Sequence, residues 1–504
     1  MTRAGKRTPD SERQVATGVE GLDDILEGGL TADRLYLLEG LPGSGKTTLA
    51  LQFLLEGIRQ GERVLYLTLS ETVTEIRQVA ESHGWSLEGI AVRELVTSEQ
   101  PVKPEKQYTM FHPAEVELSA TTKVIFSSVE EIKPARVVLD SLSELRLLAG
   151  TPLRYRREIL ALKHFFAGRG CTMLILDDVS FKDHDLQVQS IAHAVVQLEQ
   201  MSPEYGAERR RLRVLKFRGR HFRGGFHDFV IRRGGLDVFP RLVASEHRTV
   251  TVLSRLPSGV EALDKLLGGG LERGTSTLIT GGAGTGKSSL AAQFLVSAAA
   301  RGQRSAFFIF DESTNTLVTR CTAMGMDLQK HIDKGLVRVQ QVDPAELSPG
   351  EFAHTIRRVV TLDDVSIVVV DSLNGYLNAM PEERFLVIQL HELLIYLGQK
   401  GVATLLIGAH AGLIGGPMVS PIDASYLADA VLLLRYFELR GEVHQAISVI
   451  KKRGGAHERT IRELTLGSLG IHVGEPLRNF RGILTGVPQW DMETPDQEKP
   501  RHGD

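Results

Sequence analysis

Gly40-Leu-Pro-Gly-Ser-Gly-Lys46-Thr47 and Gly281-Gly-Ala-Gly-Thr-Gly-Lys287-Ser288 spell the same motif, G-x-x-x-x-G-K-S/T, twice in a chain of 504 residues. Glycines at these positions let backbone N–H groups fold around phosphate oxygens. The lysine reaches the β/γ oxygens, and the Thr or Ser hydroxyl ligates Mg²⁺. Each copy follows an apolar run (Leu35 to Leu38; Thr277 to Ile279) and opens a helix-period segment, so a helix N-terminus adds its partial positive charge. A Gly-rich turn that matches by chance does not recur at matching positions. The candidate nucleotide-binding residues are therefore Gly40, Pro42, Gly43, Ser44, Gly45, Lys46, Thr47 and Thr48, with Gly281, Ala283, Gly284, Thr285, Gly286, Lys287, Ser288 and Ser289 in the second copy. The ligand they imply is ATP with Mg²⁺.

The repeat extends outward from the loops. TGVEGLDDILEGGL (Thr17 to Leu30) leads into the first loop and SGVEALDKLLGGGL (Ser258 to Leu271) into the second, at a constant offset of 241 residues. Further along, Asp140 pairs with Asp371 and Lys216 with Lys451, at offsets of 231 and 235, so only small insertions separate the copies. A period this long marks a duplicated domain rather than a solenoid unit.

Within each copy short β-branched and aromatic runs alternate with helical segments, the pattern of a mostly parallel sheet flanked by helices. The expected strands are VLYLTL, RVVLD, TMLIL, VVQLE and RVLKF, then AFFIF, IVVVD, TLLIG, VLLLRY and AISVIK. The fold class is α/β, two tandem RecA-like P-loop NTPase domains. The expected boundaries are residues 1–245 and 246–486, and residues 487–504, with three prolines and many charges, are expected to be a disordered tail.

Composition excludes several classes. A hydrophobic fraction of 42% with 24% charged residues is that of a folded protein. No run approaches the length of a membrane span, and the polar first residues lack the core of a secretory signal, which predicts a cytoplasmic protein. Cys171 and Cys321 lie in different copies with no CxxC or Cys/His cluster, so neither disulfide nor zinc is expected. A net charge of −3 gives no overall attraction to nucleic acid.

Other candidate residues follow from position. Asp140 and Asp371 end apolar runs after each loop, as Walker B carboxylates that would hold the metal through water, together with Thr47 and Ser288. An Asp capping the next helix is the plain alternative. Glu71 and Glu312 close the strands after the first helices, where a carboxylate can orient and deprotonate water. Asp311 stands beside Glu312 where Ser70 stands beside Glu71, so Glu312→Gln is expected to cost more turnover than Glu71→Gln. Lys216 and Arg218, like Lys451 and Arg453, end late strands, where a cationic pair can reach a neighbouring subunit's ATP. His410 reads as a satisfied histidine at a strand end rather than a base.

With these motifs assembled, the chain resembles the KaiC family of tandem RecA-type ATPases, first known from the cyanobacterial circadian clock. The resemblance covers nearly everything from Thr17 to Pro488 and rests on the combination of the two loops, the GLD and ALD lead-ins, the DSL after each Walker B strand and the KxRG late in each copy. It implies a homohexamer of two stacked rings with ATP at subunit interfaces, and signalling partner proteins whose identity the motifs do not give. It implies a first domain that is mainly an ATPase. The second would also act as a serine/threonine autokinase, moving phosphate onto its own side chains and back to ADP. By alignment through Ala428-Asp429-Ala430-Val431-Leu432, Ser425 falls on the family's phosphorylated serine and Ser420 on an upstream acceptor. The chain departs from the family pattern at Ser70-Glu71 and Asp311-Glu312, where the family has adjacent glutamates. It also has Ser425-Tyr426 in place of an adjacent Ser-Thr pair, and a shorter tail.

Two other functions share this core. A RecA- or Rad-type DNA-dependent ATPase would use the basic run RRRLRVLKFRGRHFR, Arg209 to Arg223, to grip single strands. The acidic net charge and the lack of a DNA-reading module weigh against it. A signalling scaffold in which ATP only cements the ring would leave Glu71→Gln/Glu312→Gln without consequence for partner binding.

Overall fold

The computed structural model describes residues 13–95, 113–178, 186–247, 254–378, 386–409, 424–478, 480–483 and 489–490. The chain separates into two units, Met1–Arg241 and Leu242–Asp504. Each is built on a sheet of nine strands, and the two sheets repeat one strand order.

In the first unit that order runs Gly235–Phe239, His227–Arg232, Arg209–Phe217, Ala194–Met201, Leu35–Gly40, Thr172–Asp178, Arg136–Asp140, Val64–Thr68, Ile90–Glu94. The six strands from Ala194–Met201 to Ile90–Glu94 are parallel. The remaining three add on as an antiparallel meander. In the second unit the parallel strands, again with the loop strand second from the meander, are Ala430–Leu439, Ser276–Gly281, Ala403–Ala409, Val365–Asp371, Arg304–Ile309 and Val337–Gln341. Glu442–Lys452, Arg462–Gly467 and Gly470–Pro476 form its meander.

Strands buried on both faces explain why the sequence reads as apolar runs rather than alternation. Along Leu35–Gly40, Leu35 and Leu37 pack on one face with Leu65, Val137 and Ile159. Tyr36 and Leu38 pack on the other, with Leu51 and Phe53 of helix Lys46–Arg59. The second unit has the same two layers, with Leu278 on one face and Ile279 on the other. The loop strand therefore sits at the centre of each core, and its C-terminal end, where it turns into the phosphate loop, is held from both sides. Within the tail expected to be disordered, Gln489–Trp490 pairs antiparallel with Phe480–Arg481.

His227, on the first meander, is buried. Its Nδ1 accepts from the Arg241 N–H at 2.8 Å, so Nε2 carries the proton that it shares with the Arg223 carbonyl at 2.9 Å. Burial is the main cause that lowers its pKa from 6.5 to about 4, and the nearby Arg241 and Arg223 charges add to it. The folded unit thus holds a neutral ring where the unfolded chain takes up a proton. Stability is fully present above pH 6.5 and is lost as pH falls toward about 4. The loss is on the order of 3 kcal/mol. Replacing the ring by an amide in His227→Gln is expected to flatten this stretch of the first unit's Tm-against-pH curve. An unchanged slope between the two pH values would contradict it.

Candidate nucleotide sites

Both phosphate loops end on a glycine that no other residue replaces easily. Gly45 and Gly286 cap their helices at φ 100° and 90°, in the left-handed region. A Cβ there would also strike Ile231 Cδ1 at 2.7 Å in the first unit and Leu466 Cδ1 at 2.2 Å in the second. The meander therefore closes over the loop in each copy, a role for its last strands that motif reading did not anticipate.

The lysines fold back over their loops. Lys46 Nζ donates to the carbonyls of Gly40 and Leu41 at 2.9 and 3.0 Å, and Lys287 Nζ to those of Gly281 and Gly282 at 3.1 and 2.7 Å. Lys46 also pairs with Asp178 Oδ1 at 2.6 Å. Asp178 ends the strand beside the loop strand, and Ala409 holds the paired position in the second unit. Burial lowers the pKa of Lys287, with Asp371 acting in the opposite direction.

The candidate Walker B aspartates, Asp140 and Asp371, lie beside the loop hydroxyls. Thr47 Oγ1 is 3.4 Å from Asp140 Oδ2, and Ser288 stands close enough to Asp371 to lower the pKa that burial raises. Both carboxylates are buried. Burial raises the pKa of Asp140, while a 2.6 Å bond from the Tyr66 hydroxyl and the Lys46 charge pull it down. Asp371 has Phe307 where Asp140 has Tyr66, and burial pushes its pKa up to about 6. Its Oδ2 has no hydrogen-bond partner among the described residues. A buried anionic oxygen without a donor, next to a hydroxyl, is a fitting place for a cation. Among the described residues no group of three or more His, Cys, Asp or Glu forms a cage. Mg²⁺ does not require one, since it is typically held by one or two carboxylates plus water and substrate phosphates.

The strand-end glutamates differ in their surroundings. Glu71 directly precedes the N-cap Thr72, whose side chain and that of Glu75 form a capping box. The Thr68 hydroxyl pins the Glu71 backbone at both N–H and C=O, at 3.0 and 2.7 Å. Burial, followed by the Asp140, Glu75 and Asp178 charges, raises the Glu71 pKa. Its Oε2 is buried without a hydrogen-bond partner among the described residues. Glu312 is instead gripped by Arg320, through Nη1 to Oε2 at 2.8 Å and Nη2 to Oε1 at 2.7 Å. Asp311, read from the sequence as a second catalytic carboxylate, accepts a hydrogen bond from the Ser372 hydroxyl.

The cationic pairs sit at a bulge common to both copies. Register shifts between Val195 and Val196, and between Val431 and Leu432, leave Leu215 and Ile450 unpaired just before the Lys-x-Arg pairs. Lys216 and Arg218 then donate to the carbonyls of Gln189 and Ser190. Burial lowers the pKa of Lys216, and the neighbouring Arg218 and Lys163 charges add to this. Lys451 reaches the carbonyls of Ser425 and Ala428 at 2.7 and 2.9 Å. Arg453 reaches the Tyr426 carbonyl at 2.7 Å and Asp429 Oδ1 at 3.4 Å. The second copy thereby brings two of its sequence motifs together, because the cationic pair holds the backbone of the candidate phosphoacceptor. Ser425 lies in the short 3-10 turn Ala424–Tyr426 and is half-buried. Ser420 and His410 fall outside the described residues.

The basic run at Arg209 to Arg223 is engaged inside the fold. Arg211 pairs with Glu199 at 2.8 Å and Arg213 bonds Gln197 at 2.8 Å, and both guanidinium groups lie over the Phe226 ring. Arg223 pairs with Asp24 at 2.9 Å, and Arg209 is buried. No helix among the described residues is long and apolar enough to cross a membrane.

Comparison with known proteins agrees with this repeated site. The family model described as ATPase: KaiC matches residues 15–243 and again 256–478. The chain is 28% identical over 492 residues to the circadian clock protein KaiC3 of a Synechocystis species, covering 96% of each. It is 29% identical over 486 residues to the circadian clock oscillator protein KaiC of a Picosynechococcus species, covering 94% of this chain and 92% of that one. Against KaiC of Synechococcus elongatus it is 28% identical over 503 residues, covering 97% and 95%. The two P-loops, the two matched sheets and full-length similarity lead to one assignment: the chain belongs to the KaiC ATPase family, as a tandem RecA-like protein.

Proposed function

We propose that the chain binds MgATP at both phosphate loops and hydrolyses it within a ring of identical copies. The observation that carries this reading is the twofold meeting of a loop hydroxyl with a buried Walker B carboxylate, at Thr47 with Asp140 and Ser288 with Asp371. Thr47 with Asp140, and Ser288 with Asp371, would hold Mg²⁺, which would supply positive charge to offset that developing on the phosphates. Lys46 and Lys287 leave their carbonyl partners for phosphate oxygens. Glu71 orients the attacking water and accepts its proton as the water oxygen bonds the γ-phosphorus. The bond to the β–γ bridging oxygen breaks, and its electron pair leaves with ADP.

Lys216, Arg218 and Lys451 rest on backbone carbonyls, partners weaker than an anionic phosphate oxygen, and Arg453 rests on the Tyr426 carbonyl with a longer 3.4 Å contact to Asp429. This supports a role for each pair on a neighbouring subunit's nucleotide. The test is phosphate release by the full chain with MgATP, which Lys46→Ala/Lys287→Ala is expected to abolish. Turnover by that variant at the wild-type rate would refute the reading.

The second domain is proposed to phosphorylate Ser425, with Ser420 as the secondary acceptor. Tyr426, in place of a second β-hydroxyl, leaves the adjacent pair with a single acceptor. A phosphate adds about −1.5 to −2 charges beside Lys451 and Arg453, whose side chains already hold this turn. Peptide mass analysis after incubation with MgATP is expected to find phosphate on Ser425 and to lose it in Ser425→Ala. Protein that hydrolyses ATP with both serines unmodified would leave an ATPase without self-kinase activity.

A further inference from the structure

Glu312 and Glu71 occupy the same position in the two copies, yet only Glu312 has an arginine eight residues ahead in sequence to hold it. Helix Thr314–Ala323 begins just after Glu312, and its N-cap Ser313 accepts from Thr316 N–H, which fixes where the helix starts. Leu317 and Cys321 anchor its inner face in the core. Arg320 lies between these anchors in sequence and reaches back over the first turn to place both terminal nitrogens on the carboxylate. The Arg320 and Glu312 side chains are 35% and 19% exposed, so the pair is shielded more than an ordinary surface ion pair. In the first copy, helix Val73–Ser82 carries Val79 at the position of Arg320, and an oxygen of Glu71 is left without a hydrogen-bond partner.

A carboxylate in a bidentate guanidinium fork has both oxygens committed to charge-assisted hydrogen bonds. The fork fixes the plane of the carboxylate and leaves each oxygen only its remaining lone pair for a water, so the side chain cannot turn to follow the attacking water without giving up an arm. We propose that Arg320 is a positioning residue that restrains Glu312 and slows hydrolysis in the second domain. ATP is then held longer there than in the first, where Val79 imposes no such restraint. This rests on the reading of Glu312 as the base of the second site.

The test uses the full chain carrying Glu71→Gln, so that the second site dominates phosphate release. Arg320→Val, which copies the first domain's residue, is expected to raise kcat by up to about tenfold, a small part of the ~10²–10⁴-fold that a general base contributes, with KM for ATP unchanged. Arg320→Lys, which cannot form the fork, should give an intermediate rate and also serves if the valine variant folds poorly. The gain must vanish in Arg320→Val/Glu312→Gln. In the reciprocal swap, Val79→Arg in a Glu312→Gln background should lower first-domain turnover. If Arg320→Val and Arg320→Lys leave kcat unchanged or lower it, or if KM moves instead, the proposal fails while the base reading stands. If Glu312→Gln alone leaves turnover untouched in the Glu71→Gln chain, it is the base reading that fails.

Discussion

Glu71→Gln is expected to remove most of the chain's ATP turnover, with a loss of about 10²–10⁴-fold at the first site, the usual worth of a general base. The glutamine keeps the shape of the side chain and loses the basic oxygen. KM for ATP should therefore change little while kcat falls. Burial and the carboxylates of Asp140, Glu75 and Asp178 raise the Glu71 pKa, which makes it a stronger base than an exposed glutamate. Glu312→Gln is expected to cost less, because Arg320 already engages that carboxylate on both oxygens. Steady-state phosphate release from the two single variants decides between these orders. A larger loss in Glu312→Gln would show that the arginine fork does not restrain the second glutamate.

That ranking reverses the one drawn from Ser70 and Asp311, and the reason shows where sequence reading stops. The loops, the Walker B aspartates and the strand-end glutamates were legible because each is a local pattern fixed by strand, turn and helix in succession. The inner parallel strands were legible because burial on both faces leaves uninterrupted apolar runs such as Leu35 to Leu38 and Val368 to Val370, whereas the edge strands Ile90–Glu94 and Val337–Gln341, largely open on their outer side, were not read. The antiparallel meander was read only at its first strand, since His227–Arg232 and Gly235–Phe239 mix polar with apolar residues. What stayed hidden were side-chain pairings between distant positions. Asp311 reads as a free second carboxylate until Ser372, far along the chain, is found donating to it. Asp178 carried no motif, and only the parallel pairing of Thr172–Asp178 with the loop strand brings it to Lys46. Arg320 was visible at the end of a helical segment, but nothing in the motif says that it folds back onto Glu312 rather than outward. The duplication offers a signal that was available, since a residue differing between copies at a matched site position, such as Arg320 against Val79 or Phe307 against Tyr66, marks where the two sites diverge.

Loss of assembly in Lys46→Ala/Lys287→Ala is the other large effect expected. Nucleotide bound between subunits stabilises the assembled state by mass action, by about 2.7 kcal/mol per site when ATP is at 100 times its Kd. With two sites per chain the contribution multiplies around a ring, so removing both lysines takes away far more than any single surface contact. The lysines' contribution to assembly is made through phosphate. In the free protein they fold onto loop carbonyls, and Lys46 adds the ion pair with Asp178, so the alanines disturb the loop itself rather than the apolar sheet beneath it. The fold should survive, which an unchanged far-UV circular dichroism spectrum would register. Light scattering after gel filtration should find a hexamer for wild type with MgATP and smaller species for the double variant under the same conditions. Wild type stripped of nucleotide should fall toward the variant's size and recover on adding MgATP. A hexamer that persists unchanged in the nucleotide-free double variant would separate assembly from ATP, and would leave the Lys216/Arg218 and Lys451/Arg453 pairs without a phosphate to meet across the interface.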